Sequence, residues 1–399
     1  MSIIDGISVP PSWTVRPFGR VAARIQLAGQ PNLEPLSVFL DEGVVPRSSR
    51  QDNHNQLGED LAKYLIVQPG DIVFNKLRTW QGGLGVSRYE GIVSPAYFVC
   101  RPKSEYDPRY LHYLLHSQPY LQELTRISKW MPPSQFDIGW EQLRLLPVFA
   151  PPRAVQARIA DYLDSTTTRI DALIAKKRRM IDLLEERVNA QVSDYIRRSP
   201  LAGEGEVEVV PIRRVLTKLE RWADGGNMVT AFRDGEVTTR EARNREGFTN
   251  AWTETARVQQ VEVGDVVIHG LDGFSGAIGD ARTAGVCSPV YHVCIPKQGD
   301  GTFYGRMLRL LAVNGYLGNF AISTRERAVD FRNWDLFGRI PVPLVPTDEQ
   351  RAIGDEIRKI RPLRDRIVAS EALALEHRQA LITAAVTGKL EIPVPEAVA

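Results

Sequence analysis

The sequence predicts an α+β protein made of two copies of one module, each followed by a long helix. Three observations carry that expectation. A block of sequence recurs 194 positions further on, each copy closes in a proline-rich elbow, and each elbow leads into an amphipathic stretch too long to pack inside a module.

Residues 67–103 fall without a gap on residues 261–297. Val67, Gly70, Asp71, Val73, Leu77, Gly82, Gly85, Gly91, Ser94, Pro95, Tyr97, Val99, Cys100, Pro102 and Lys103 each meet the same residue in the second copy. The offset also matches Pro17, Arg20 and Val21 to Pro211, Arg214 and Val215, Trp140 to Trp334, and Gln156 to Gln350. Shared glycines and prolines set backbone geometry. The polar and aromatic residues beside them differ: Asn75, Lys76, Arg78 and Trp80 face His269, Gly270, Asp272 and Phe274. One scaffold presenting two different reading surfaces explains this pattern; drift in an exposed loop is the other explanation.

In chain order, strands are expected at 36–40, 61–67, 71–74 and 97–100, with a turn at Pro69–Gly70. A helix is expected over 108–126, broken or kinked at Pro119. The second module repeats the plan, with its helix at 306–317. The elbows LPVFAPP (146–152) and IPVPLVP (340–346) are stiff, extended exits. In the second, Thr347, Asp348 and Glu349 supply a helix cap and an acidic first turn. The first long helix is expected over 154–198, with a stripe of Ile159, Leu163, Thr166, Ile170, Leu173, Met180, Leu184, Val188 and Val192, and a length of roughly 65 Å. The second is expected over 348–389, with Ile353, Ile357, Ile360, Leu363, Ile367, Ala374 and Leu381 in its stripe and a kink at Pro362. Such stripes suit an antiparallel intramolecular coiled coil, the helices serving as a ruler between the two heads; a homodimer joined through the helices is the other arrangement. The division expected is a first module at 1–150, a central helix at 151–200, a second module at 201–345, and a second helix with its tail at 346–399.

Composition narrows the function. With 50 Lys and Arg against 48 Asp and Glu, any basic surface must be local. The three cysteines have no metal-ligand spacing and read as small buried thiols, Cys100 and Cys294 being repeat-related. No apolar run approaches 18 residues, and the N-terminus has no signal-peptide pattern, so a cytoplasmic protein without membrane contact is expected. His112 and His116 are spaced i, i+4 but lack the glutamate of a zinc helix. SPAY (94–97) and SPVY (288–291) resemble the amine-binding loop of DNA amino-methyltransferases. They lack its second proline and any preceding cofactor loop, and a motif duplicated with the scaffold reads as structural.

What remains is polar recognition. The clusters are Arg47, Ser48 and Arg50; Asn75, Lys76, Arg78, Trp80 and Gln81; and Lys129 with Ser134 in the first module. The second offers Arg240, Arg243 and Arg245; His269 and Asp272; and Arg325. Cations neutralise phosphate, and Arg, Asn and Gln make paired contacts to base edges, so these sixteen are the candidate DNA-binding residues.

The chain resembles the specificity subunits of type I restriction–modification systems along essentially its whole length. GDIVFNK (70–76), WQG (80–82), GIVSPAY (91–97), the elbows running from Pro152 to Gln156 and Pro346 to Gln350, and the closing AAVTGKL (384–390) carry the resemblance. It departs at the first elbow, which lacks the acidic pair, and in the second module, which lacks FNK and WQ. The resemblance implies two α/β-type target-recognition domains separated by two long antiparallel helices. It implies a non-catalytic subunit whose domains each read one half of a bipartite double-stranded DNA sequence. Two methyltransferase subunits on the helices and a motor-nuclease restriction subunit are the implied partners. S-adenosylmethionine, ATP and Mg belong to those partners, and no cofactor to this chain. The rival expectations are a two-headed protein scaffold that ignores DNA and a methyltransferase in its own right.

Overall fold

The computed structural model describes residues 4, 7, 9–40, 42–50, 57, 58, 60–131, 135–203, 205–243, 257–320 and 331–392. They form two compact units: Met1–Ala175 with Ser370–Ala399, which is discontinuous in sequence, and Lys176–Ala369, which is continuous. Each unit holds one globular head and one half of each long helix.

The first head contains β1 (Thr14–Pro17), α1 (Phe18–Val21), β2 (Ala22–Ile25), β3 (Leu36–Phe39), β4 (Gly43–Pro46), β5 (Leu65–Val67), β6 (Ile72–Asn75), β7 (Leu84–Val86), β8 (Gly91–Val93) and β9 (Tyr97–Pro102). Helices α2 (Pro108–His116) and α3 (Gln118–Arg126), strands β10 (Lys129–Met131) and β11 (Gln135–Asp137), α4 (Trp140–Leu143) and β12 (Pro147–Ala150) follow. The core sheet is antiparallel in the order β2-β9-β6-β7, with β3 and β4 forming a separate hairpin. Alternation along the strands builds three layers. Ile72, Phe74, Phe98 and Cys100 face the helices, while Val73 and Val99 face the hairpin residues Leu36, Val38 and Val44.

The second head repeats this with β13 (Val209–Pro211), α6 (Ile212–Val215), β14 (Leu216–Lys218), β15 (Trp222–Ala223), β16 (Val229–Ala231), β17 (Val237–Thr239) and α7 (Arg240–Arg243). Then come β18 (Val258–Val261), β19 (Val266–His269), β20 (Ile278–Asp280), β21 (Gly285–Cys287), β22 (Tyr291–Pro296), α8 (Gly301–Val313), α9 (Trp334–Phe337) and β23 (Pro341–Pro343). Its core order is β14-β22-β19-β20, with the β16–β17 hairpin on one face. The three cysteines are free and buried.

The matched residues now have reasons. Each elbow is a strand that closes its head, pairing Pro147 with Pro17 and Pro341 with Pro211. Asp71 and Asp265 tie their turns by accepting from the backbone N–H of Gln68 and Glu262, at 2.9 and 2.7 Å. Two local expectations shift, and the break expected at Pro119 is found. Residues 61–63 form a 3-10 turn capped by Asp60, not strand. The helix at 108–126 divides at Ser117 into α2 and α3, because Pro119 lacks the N–H that would continue it. The second head's helix starts at Gly301 rather than 306, because Asp300 caps it by accepting from Phe303 N–H.

The long helices are α5 (Arg153–Arg197) and α10 (Thr347–Val386), the latter running through Pro362. They lie antiparallel within each unit. In the first, Asp171 pairs with Arg378 at 3.1 Å, and Tyr110 Oη donates to Phe149 O before α5 and to Val386 O at the end of α10. In the second, Glu356 binds Arg187 and Gln191, both at 3.0 Å. The middle of the first stripe needs correcting: Leu173 and Met180 are exposed, and Thr167 and Ile174 are buried instead. The seam takes two successive steps of four, 159–163–167, so the strict alternation 163–166–170–173 leaves it by one residue.

Helix ends complete each head's core: Ile159, Leu163, Ile382, Ala385 and Val386 in the first, and Val188, Val192, Ile353, Ile357 and Ile360 in the second. At about 2 kcal/mol each, five such side chains contribute on the order of 10 kcal/mol, comparable to a whole domain's stability. A buried glutamine fixes each junction. Gln156 donates to Pro151 O and Glu105 O and accepts from Asp107 N–H, the cap of α2. Gln350 donates to Val345 O and Tyr304 Oη and accepts from Asp300 N–H, the cap of α8. Gln350→Ala strands these groups in the interior and should lower stability by about 2–4 kcal/mol, read as an earlier urea midpoint.

Candidate functional site

Each head carries a polar cleft between its hairpin and its core sheet, and these two clefts are built from repeat-related positions. In both, the central and neighbouring core strands pair in the same register, placing Asn75 opposite Tyr97 and His269 opposite Tyr291. The hairpin supplies the opposite wall. It docks on β8 and β21, strands outside the core sheets, where Ile92 N–H donates to Glu34 O and Val286 N–H donates to Asn227 O, both at 2.9 Å. A Cβ at Gly91 or Gly285 would stand 2.4 Å from those carbonyls, so only glycine admits the crossing.

Arg47 N–H donates to Pro35 O, and Arg240 N–H donates to Met228 O. Since Pro35 bridges Ile92 and Met228 bridges Val286, these hairpins correspond at an offset of 193, one less than the sheet. Arg47 is therefore the counterpart of Arg240, although sliding the sequence by 194 sets it against Glu241. The first cleft, of 360 Å³, is lined by Ser37, Arg47, Asn75, Arg78 and Tyr97 among others. The second, of 590 Å³, is lined at the corresponding places by Thr230, Arg240, His269, Asp272 and Tyr291.

The matched positions divide by chemistry. Asn75 Oδ1 accepts from Leu77 N–H at 3.2 Å, and His269 Nδ1 accepts from the equivalent Leu271 N–H at 3.1 Å and from Asp272 N–H at 3.0 Å. Both side chains cap the same turn. The proton of a neutral His269 then sits on Nε2, so this position offers an N–H donor in either head: the Asn75 amide or His269 Nε2. Burial lowers the His269 pKa and keeps it neutral. Tyr97 lies in the field of both Arg47 and Arg78, but burial still pushes its hydroxyl above the usual tyrosine range. Tyr291 lies in the fields of Arg240 and Asp272, and burial pushes it up to about 12. Both phenols stay protonated at neutral pH. The Arg78–Asp272 position alone inverts charge.

Of the sequence candidates, Arg47, Asn75 and Arg78 meet in the first cleft, and Arg240, Arg243, His269 and Asp272 in the second. No carboxylate among the described residues pairs with Arg47 or Arg78. Asp272 pairs with Arg233 at 3.0 Å, and Arg243 forks onto Asp234 over the Phe232 ring. The others lie outside the cleft linings. Ser48 donates to Glu34 at 2.5 Å, and Arg50 lies over Phe39 beside Glu42. Lys76 donates to Pro95 O and lies over Phe98, sharing that ring with Arg24. Trp80 is folded inward, donating to Leu77 O and packing on Phe136. Gln81 and Lys129 are exposed. Ser134, Arg245 and Arg325 lie outside the described residues.

Tyr97, Tyr291, Ser37, Thr230 and Arg233 were missed as site residues, and Arg24 as the cation beside Lys76 over Phe98, outside the cleft. The tyrosines belong to the shared set and read as scaffold; Arg24 is matched by Lys218, a retained cation that was a usable signal. SPAY and SPVY form the turn into the core strand, with Tyr97 N–H on Ser94 O and Tyr291 N–H on Ser288 O. The His112 and His116 rings lie 4.2 Å apart, tilted by 42°, in the first head. Among the described residues no group of three metal-ligating side chains gathers, and no helix is long and apolar enough to cross a membrane.

Burial and the nearby His116, Arg378 and Arg88 hold the His112 pKa well below its ordinary 6.5. The folded chain then binds fewer protons than the unfolded chain as pH falls below about 6.5, so stability drops on acidification until the folded pKa is reached. His112→Phe should flatten the dependence of the urea midpoint on pH between about 7 and 5.

The chain matches no protein-family model and no curated protein. It is similar in structure to a chain from the type I R-M system solved to explain complex assembly and conformational transition, at 16% identity and a TM-score of 0.63, covering 96% of this chain and 100% of that one. It also matches the HsdS subunit from Thermoanaerobacter tengcongensis (16% identity, TM-score 0.47, 97% and 99% covered) and the S subunit of a type I restriction-modification system from M. genitalium (15%, 0.48, 96% and 98%). The first likeness establishes a shared fold over nearly the full length of both chains.

Proposed function

We propose that this chain is a non-catalytic DNA sequence-recognition subunit of a type I restriction–modification complex. Each head reads one half of a bipartite duplex target, and the long helices dock methyltransferase subunits. The observation that carries this is the pair of matched clefts: one frame used twice, with different polar groups set into it. A duplicated catalytic site would keep its reacting groups alike; a duplicated reader of two different words would not.

Three further observations support the reading. The fold is shared with a chain from a type I R-M system. The first cleft concentrates Arg47 and Arg78 without a carboxylate partner among the described residues, which suits phosphates and acceptor base edges. On the long helices Leu173, Met180, Leu183, Val368, Leu373 and Leu375 are exposed, an unusual density of apolar side chains for a solvated helix surface and suited to partner helices. S-adenosylmethionine, ATP and Mg would then be held by partner subunits, and the bases to be methylated would be flipped into theirs.

Modified-base sequencing of cells carrying the chain with its neighbouring methyltransferase should reveal one split motif. Exchange of residues 205–345 for the same region of a relative should change one half of that motif only; a change in both halves contradicts independent heads. Arg47→Ala and Arg78→Ala should each weaken DNA binding and reduce the slope of log affinity against log salt by up to about one where the contact is to phosphate. Shortening α5 by four residues, with the matching cut in α10, should alter the gap between the half-sites.

A further inference from the structure

Within the matched clefts, four corners keep their chemistry. Ser37 and Thr230 are hydroxyls, Arg47 and Arg240 are guanidiniums, Tyr97 and Tyr291 are phenols, and Asn75 and His269 are N–H donors that cap the same turn. The fifth corner is Arg78 in the first head and Asp272 in the second, and each enters a 3-10 turn at the same step. One offers five N–H groups and a positive charge; the other offers only acceptors and a negative charge. Arg233, Asp234 and Arg243 line the second cleft alone, but among the five matched corners only this one inverts from donor to acceptor, so the two clefts can present opposite hydrogen-bonding polarity there to the same kind of ligand.

Nucleobase edges in the major groove differ in that polarity. Guanine shows two acceptors, N7 and O6, matched by an arginine fork; cytosine shows an N4 amino donor, matched by a carboxylate. Adenine adds an N6 amino group to its N7 acceptor. Arg78 is exposed, and its guanidinium has no carboxylate partner among the described residues. The Asp272 side chain is 43% exposed, and Arg233, itself 70% exposed, holds only its Oδ1. A surface pair of this kind yields readily to a competing ligand.

We propose that position 78 and its repeat partner 272 set the base identity read at one place in each half of the target: Arg78 takes the acceptor edge of guanine, and Asp272 the amino edge of cytosine or adenine. The proposal rests on the DNA-reading function above. Arg47 and Arg240, together with the tyrosines, hold the nucleic acid in the same pose in both clefts and carry no discrimination.

The test is selection of a randomised duplex DNA library by the purified full-length chain, comparing the wild type with Arg78→Asp, Arg78→Gln and Asp272→Arg. The wild type should enrich a split sequence with a guanine at one position of one half. Arg78→Asp should replace that guanine with cytosine or adenine and leave the other half unchanged, with a swing in preference of about 5- to 150-fold. Arg78→Gln should relax the position without abolishing selection, and Asp272→Arg should bring in a guanine in the other half only. If both Arg78 variants enrich the wild-type sequence, position 78 reads nothing and the proposal falls while DNA reading stands. If both lose affinity for all sequences alike while keeping the wild-type circular dichroism spectrum, Arg78 contacts phosphate and the proposal again falls. If the wild type enriches no sequence, the DNA-reading function fails with it.

Discussion

The clefts depend on one close approach of backbone to backbone. At Gly91 and again at Gly285 the hairpin crosses the neighbouring strand so tightly that a methyl group would meet a carbonyl oxygen at 2.4 Å. That crossing seats Arg47 and Arg240 over the sheet residues Tyr97 and Tyr291. Gly85 and Gly279 relieve the same contact further along, where a Cβ would meet Gly43 and Gly235. Without these glycines the hairpin would lift, and the polar residues below it would line an open sheet face instead of a cleft.

A second constraint ties the heads to the helices. Gln156 and Gln350 each hold the cap of a head helix and the carbonyl of the elbow, while the ends of α5 and α10 fill the core. The ionic contacts around this junction differ between the units. In the first, Arg109 from the head reaches Asp161 and Asp164 on α5; in the second, Arg358 and Arg361 on α10 reach Asp300 and Asp280 in the head. The buried amide is kept while the ion pairs are reversed: the first unit's pairs are exposed and add little, whereas Asp280 and Asp300 in the second are buried and depend on their arginines.

The same division governs the cleft. Residues that cap a turn or stand in the register of the sheet keep their hydrogen-bonding role even when the residue type changes, as Asn75 and His269 do. The side chains at 78 and 272 cap no turn, and Asp272 meets Arg233 only in a solvent-screened pair, so this corner can invert its charge with little disturbance to the frame. A module duplicated in this way keeps its architecture under packing constraints while its ligand preference remains open to change.

The sequence by itself determined the duplication, the two α+β heads, the long helices and their elbows, because glycine, proline and apolar periodicity act locally and are visible as residue types. It also singled out Arg47, Asn75, Arg78, Arg240, Arg243, His269 and Asp272, since polar variation against a constant scaffold stands out. Tertiary structure decided how they group. Sequence offset pairs Arg47 with Glu241, and only the bridges at Pro35 and Met228 reveal a one-residue slip that makes Arg240 its counterpart. The inward turn of Trp80, the capping role shared by Asn75 and His269, and the course of the helix seam past Leu173 and Met180 also arise from contacts between segments far apart in the chain. No local pattern encodes those contacts, because they depend on which surfaces meet once the core has formed.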